Sequence, residues 1–193
     1  MPEPIFITTE KGDKIRILTP DEFDRFTAAI PDTSPHLKTL FNVAFFTGMR
    51  YVEIQRLYLH PEWWQKDRGT IYLPREAQLK VKRTTPERYI PLPSQLVGEM
   101  PYFFKNKEPP HHKVWGENIK RWALKAGFES IIGFVPKMTR ASIESWMFMA
   151  GVPMNQICLR QGHDKLTSMN HYQAIPFKES EKLEIRKRLS SWV

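Results

Sequence analysis

Four glycines, Gly48, Gly127, Gly151 and Gly162, each follow a run whose apolar residues recur every three or four positions, and glycine in that place offers a helix an end. Leu37, Leu40, Phe41, Ala44 and Phe45 form the run before Gly48, and Ile54 and Leu57 resume the same face beyond it. Arg50 is therefore predicted at a junction between two helices. The segments Val114 to Ala126 and Thr139 to Ala150 read as further helices, and Pro153 opens another that stops before Gly162. Upstream, Thr19-Pro20-Asp21-Glu22 places a capping hydroxyl, a proline at the first helical position and a carboxylate at the third, so a helix begins there. Ser94 is expected to cap a segment through Leu96, Val97 and Met100, and Leu166 to Tyr172 to form a short helix. Only two stretches read as strands, Gly69 to Pro74 and Arg88 to Leu92, each bounded by breakers and joined by a basic segment. The expected fold is mainly α with a small antiparallel β-sheet, in the α+β class.

A chain of 193 residues has the length of one domain with a substantial core. No apolar run approaches the roughly 20 residues that would span a bilayer. The start, Met1-Pro2-Glu3-Pro4, lacks the pattern of a secretory signal, and Cys158 is alone, which together suit a reducing, cytoplasmic compartment. The net charge of +8 is that of a protein that approaches a polyanion. Its excess is local. Arg75, Lys80, Lys82, Arg83 and Arg88 outnumber Glu76 and Glu87, and Lys113, Lys120, Arg121 and Lys125 outnumber Glu117. Two separate basic stretches suit a groove better than a tail. The histidines include no pair at the spacing of a zinc-binding helix, and no glycine-rich phosphate cradle is present, so neither a metal nor a nucleotide cofactor is expected.

Four short stretches carry the groups needed to open a phosphodiester. These are Thr47-Gly48-Met49-Arg50 with Glu53, Lys137-Met138-Thr139-Arg140, Gly162-His163, and Thr167 through Tyr172. Arg140 and His163 stand 23 residues apart, and His163 and Tyr172 stand nine apart. In order and spacing they resemble the catalytic domain of the tyrosine recombinases, the lambda-integrase family. The resemblance runs from about Leu18 to Tyr172 and implies a DNA-cutting and rejoining enzyme that works through a 3′-phosphotyrosyl intermediate. Under it Tyr172 is the nucleophile, and Arg50 and Arg140 meet the non-bridging phosphate oxygens with paired, charge-assisted hydrogen bonds. A hairpin lysine donates the proton to the leaving 5′ oxygen. Lys82 is the choice for that donor and Lys80 its alternative. His163 accepts the tyrosine's proton or bonds a phosphate oxygen, and Glu53 orients Arg50.

Lys137 departs from the histidine commonest at its position. A lysine there adds charge and is a poor base. The same variation resembles integrases of archaeal viruses and plasmids. Lys80, Arg83, Arg88, Lys120 and Arg121 are expected to contact the DNA. Residues 1–177 are expected to form the catalytic domain, with double-stranded DNA as partner and a homo-oligomer assembled on it in association with the nucleoid. Residues 178–193 are expected to form an amphipathic helix that sets Ile185, Leu189 and Trp192 on one face for a neighbouring subunit. Only about 17 residues precede the first predicted helix, where such enzymes carry a further DNA-binding domain, so the chain is expected to be a truncated or a stand-alone catalytic domain. Two other readings share these parts, a type IB topoisomerase and a catalytically idle DNA-binding module.

Overall fold

A computed structural model describes residues 3–9, 11–77, 87–162 and 175–190. The first helix, α1 (Pro20–Ala29), starts as its sequence dictates: the Thr19 hydroxyl accepts from the Glu22 N–H at 3.3 Å, and Glu22 reaches back to the Thr19 N–H at 3.1 Å. Next come α2 (Pro35–Thr47) and α3 (Tyr51–Leu59), then α4 (Ser94–Lys105), α5 (His112–Lys125), α6 (Lys137–Ala150), α7 (Met154–Gln161) and α8 (Glu179–Arg188). The fold is mainly α, as expected. Gly48, Gly151 and Gly162 end α2, α6 and α7 at φ of 62°, 90° and 65°. In α4 the cap position falls to Pro93; Ser94 is the first helical residue and no side chain caps this end.

Two small antiparallel sheets accompany the helices among the described residues. One is the N-terminal hairpin β1 (Ile5–Thr8) and β2 (Lys14–Ile17), whose facing pairs Ile5↔Ile17 and Ile7↔Ile15 bury one side. The other runs β3 (Trp64–Gln65), β4 (Thr70–Leu73) and β5 (Arg88–Pro91), in that order. The expected strand pair is β4 and β5, with Ile71 opposite Ile90. The first hairpin and β3 go beyond the sequence expectation.

Helix α6 is the axis of the packing and touches α2, β2, α7 and α8. Buried rings cluster around it: Phe45 meets Trp146 edge-on at 4.9 Å, Phe23 meets Phe45 at 4.4 Å, and Phe26 meets Phe41 at 4.8 Å. Two polar groups beside them are matched. The Trp146 indole N–H donates to the Leu18 carbonyl at 2.8 Å, and the Leu18 N–H donates to the Ser142 hydroxyl at 2.9 Å. Together these bonds seat the end of β2 on α6.

The C-terminal helix finds partners within its own chain. Within its own chain α8 packs on α6 and α1, with Ile185 and Leu189 buried and Arg188 gripping both carboxylate oxygens of Asp24 at 2.7 and 2.8 Å. Its apolar face is thus used inside the subunit. The core groove between α1 and α6 is close at hand and needs covering, which an amphipathic pattern alone does not reveal. Trp192 lies outside the described residues. No helix among the described residues is long and apolar enough to cross a membrane.

Candidate active site

The chain turns sharply where α2 gives way to α3, because Gly48 takes a left-handed conformation that a side chain would strain. Arg50 follows in extended conformation and caps α3. Glu53, at the third position of that helix, is fully buried and turns back to accept from the Arg50 N–H at 2.8 Å and from its guanidinium at 3.0 Å. The Arg50 side chain is 40% accessible, so its outer edge stays open. Burial alone would raise the Glu53 pKa. The guanidinium groups of Arg88, Arg50 and Arg140 outweigh that and hold the carboxyl below its usual range.

Arg140 arrives at the same junction from α6. Its two terminal nitrogens donate to the Gly48 carbonyl at 2.9 Å and to the Gln161 carbonyl at 2.5 Å, binding the ends of α2 and α7 to each other. Arg160, buried on α7, donates to the Phe46 carbonyl at 2.7 Å. Carbonyls in the last turns of helices lack partners within the helix and sit at the negative end of its dipole, so cations suit them. Two such ends converge here. Enclosure, and then the neighbouring Arg50, push the Arg140 pKa down to about 10, and burial pushes Arg160 down to about 9. Both stay charged at neutral pH. The guanidinium groups of Arg88, Arg50 and Arg140 thus gather around the buried Glu53 carboxylate, with the buried Glu144 also acting on Arg140, and the balance among these groups is positive.

Gly48 admits no substitute. A Cβ there would collide with the Gln161 side-chain amide, which is fully buried and cannot swing out to solvent. Gly48→Ala should cost about 1–3 kcal/mol from the left-handed backbone alone. It should also slow any reaction that depends on Arg140, whose two anchors are the carbonyls of these same residues. Urea melts and single-turnover rates read the two effects separately, and a variant with wild-type values in both would contradict this packing.

Apart from Arg88, the expected residues divide into three groups. Arg50, Glu53 and Arg140 are brought together. Lys137 stands exposed at the first turn of α6, one turn ahead of Arg140. Lys120 and Arg121 are exposed on α5, with the Arg121 guanidinium 3.4 Å from Asn118 Oδ1. The start of α5 is tied to Arg50's helix by Tyr51, which stacks on Trp115 at 5.3 Å and donates its hydroxyl proton to the Pro110 carbonyl at 2.7 Å. Lys80, Lys82, Arg83, His163 and Tyr172 lie outside the described residues.

Arg88 requires a correction, since it is not placed to contact DNA. Its side chain is 4% accessible, and its guanidinium donates to Glu53 at 2.8 Å and, through Nε, to the Arg160 carbonyl at 3.0 Å. Strand alternation explains this, because residues 88 and 90 share the inward side of β5 while Tyr89 and Pro91 face out. Arg160 and Gln161 are additions to the site. The available signal was periodicity: from Ile157, steps of three and four along α7 reach Arg160 and Gln161, so polar residues occupy core positions that must find partners.

The sequence pattern of the Phage integrase family matches residues 16–179 of this chain, and the chain belongs to that family. Among solved structures it is similar to the XerA recombinase, at 14% identity and a TM-score of 0.66 over 89% of this chain and 64% of that one. It is similar as well to the Tn1549 transposon integrase solved with a circular intermediate DNA, at 15% identity and a TM-score of 0.67, covering 90% of this chain and 65% of that one. The same integrase with transposon right end DNA gives 16% and 0.68, over 90% and 66%. The fold is therefore that of a tyrosine recombinase catalytic domain. The chain spans about two thirds of the length of these structures. No curated protein matches it in sequence.

Proposed function

We propose that this chain is the DNA breaking and rejoining domain of a site-specific recombinase of the tyrosine type, an integrase that moves a mobile element into or out of a duplex. The observation that carries the reading is the convergence of Arg50 and Arg140 on one helix junction with a surplus of positive charge. Such an arrangement suits an anion with several oxygens, such as a phosphodiester. The DNA in the Tn1549 integrase structures supports the same class of partner.

In this account Tyr172 Oη attacks the scissile phosphorus, a Tyr172–phosphate bond forms, and the bond from phosphorus to the 5′ oxygen breaks. His163 takes the phenol proton or bonds a phosphate oxygen. Lys82, or Lys80 in its place, gives the leaving oxygen its proton. Arg50 and Arg140 stabilise the charge that builds on the non-bridging oxygens, and Lys137 adds to their field. The covalent link retains the bond energy for rejoining, so no cofactor is required. Lys80, Arg83, Lys120 and Arg121 meet the surrounding backbone, and protomers assemble as a homo-oligomer on nucleoid DNA.

A plasmid with two copies of a candidate site separates the alternatives. Exchange between the two sites is expected. Relaxed circles without exchange would favour a topoisomerase, and binding without any strand cleavage would favour a DNA-binding module.

A further inference from the structure

Beyond the arginines that would face the phosphate, the buried pair of Arg88 and Glu53 has a geometry of its own. Glu53 Oε2 accepts from two directions at once, from the Arg50 N–H at 2.8 Å and from Arg88 Nη2 at 2.8 Å. Its other oxygen takes the Arg50 guanidinium at 3.0 Å. The Glu53 side chain is 1% accessible and that of Arg88 is 4%, so water cannot substitute for either partner. Arg88 is held in turn by its Nε bond of 3.0 Å to the Arg160 carbonyl. Arg160 fastens α7 to α2 through the Phe46 carbonyl at 2.7 Å. Arg88 opens β5, the strand that brings the chain back from the segment containing Lys80 and Lys82. One guanidinium therefore links three parts of the molecule: the strand leaving the basic segment, the helix that ends at Gly162, and the carboxylate that orients Arg50.

An isolated buried arginine is costly, and so is a buried carboxylate, so each fixes the other in place. Fixing matters more than net stability here, because a buried ion pair often contributes little to folding compared with an apolar pair. What it supplies is direction. With Arg88 absent, Glu53 keeps only Arg50 as a bonded partner among the described residues and can turn with it.

We propose that Arg88 is a positioning residue for strand cleavage: held by the Arg160 carbonyl, it fixes the Glu53 carboxylate, which in turn fixes Arg50 toward the scissile phosphate. The proposal rests on the recombinase reading given above and adds to it a residue that never touches DNA.

The test uses Arg88→Lys in the full chain. This variant keeps a positive charge beside Glu53, but a single ammonium cannot reproduce the flat fork that bonds Glu53 and the Arg160 carbonyl together. Single-turnover cleavage of a nicked suicide duplex should slow by about 10-fold to 10²-fold, the scale on which a small misplacement of a catalytic group is felt. The affinity for DNA and its dependence on salt should match wild type. The decisive arm is a cycle with Arg50→Lys. If Arg88 acts through Arg50, adding Arg88→Lys to Arg50→Lys should slow cleavage little further.

Glu53→Gln reads the same coupling to Arg50 independently of whether Arg88→Lys folds, and should show the same non-additivity. A salt slope reduced by about one would make Arg88 a phosphate contact and overturn the proposal. Full additivity with Arg50→Lys, or an unchanged cleavage rate, would overturn it as well. A wild-type protein inert on every duplex would overturn the recombinase reading and the proposal with it, whereas an active wild type equalled by Arg88→Lys overturns the proposal alone.

Discussion

Arg140→Lys should cut the rate of strand cleavage by about 10²-fold to 10³-fold, the cost of losing a directed donor to a developing oxyanion. The guanidinium spends two of its N–H groups on the Gly48 and Gln161 carbonyls, at 2.9 and 2.5 Å, and those bonds set the plane in which the remaining donors point. An ammonium on a flexible stem cannot hold both carbonyls and still meet a phosphate oxygen in a fixed plane. Charge is affected too. Enclosure and the adjacent Arg50 lower the Arg140 pKa to about 10, which leaves a guanidinium protonated at neutral pH. A lysine starts from ~10.4, so the same enclosure and the same neighbour would push its pKa lower still. The residual cleavage by Arg140→Lys should therefore decline toward alkaline pH, whereas the wild type should not lose activity from this group over the same range. Cleavage rates across pH 6.5 to 9 on one suicide duplex check both parts, and a variant within about threefold of wild type at all pH values would remove Arg140 from the chemistry.

Deleting the residues after Phe177 should weaken the isolated chain severely. Ile185 and Leu189 are each almost wholly buried, and full burial of such a side chain is worth about 1.5–3 kcal/mol. The loss from the pair, about 3–6 kcal/mol, is a large share of the ~5–15 kcal/mol that holds a typical domain together. The ten residues of α8 would be marginal as a free helix, so their order comes from this docking. The grip of Arg188 on Asp24 adds direction but is exposed and adds little energy. Urea unfolding of residues 1–177 should show a much lower midpoint than the full chain. An unchanged midpoint would mean that α8 contributes nothing to its own subunit and is free for a neighbour.

Several helices were legible because they carry their own punctuation. The reciprocal bonds of Thr19 and Glu22 and the left-handed Gly48, Gly151 and Gly162 are local devices, written within a few residues of where they act. The junction that displays Arg50 was legible for the same reason. The first hairpin was not read, since strand preference depends on what the strand packs against, and β2 packs on α6, more than 100 residues further along the chain. Arg88 was read as surface because it is charged and lies in a basic stretch. Its interior place depends on Glu53, 35 residues earlier, and on the carbonyl of Arg160, 72 residues later, and no local pattern encodes those meetings. Arg160 and Gln161 were missed similarly, although their helical phase with Ile157 marks them as inward. The amphipathic C-terminal helix announced that one face must be covered. It could not say by what.

A covalent bond between DNA and Tyr172 is the step on which the proposed function depends. A nicked duplex labelled beside the scissile phosphate, on the strand that would stay attached, traps the intermediate because the short leaving fragment diffuses away. Wild-type protein should yield a denaturation-resistant adduct, and proteolysis should leave the label on the peptide that contains Tyr172. Tyr172→Phe should bind the same duplex with wild-type affinity, since the basic surface supplies most of the binding, and should yield no adduct. An adduct that persists in Tyr172→Phe, or a label carried by a different peptide, would contradict the assignment.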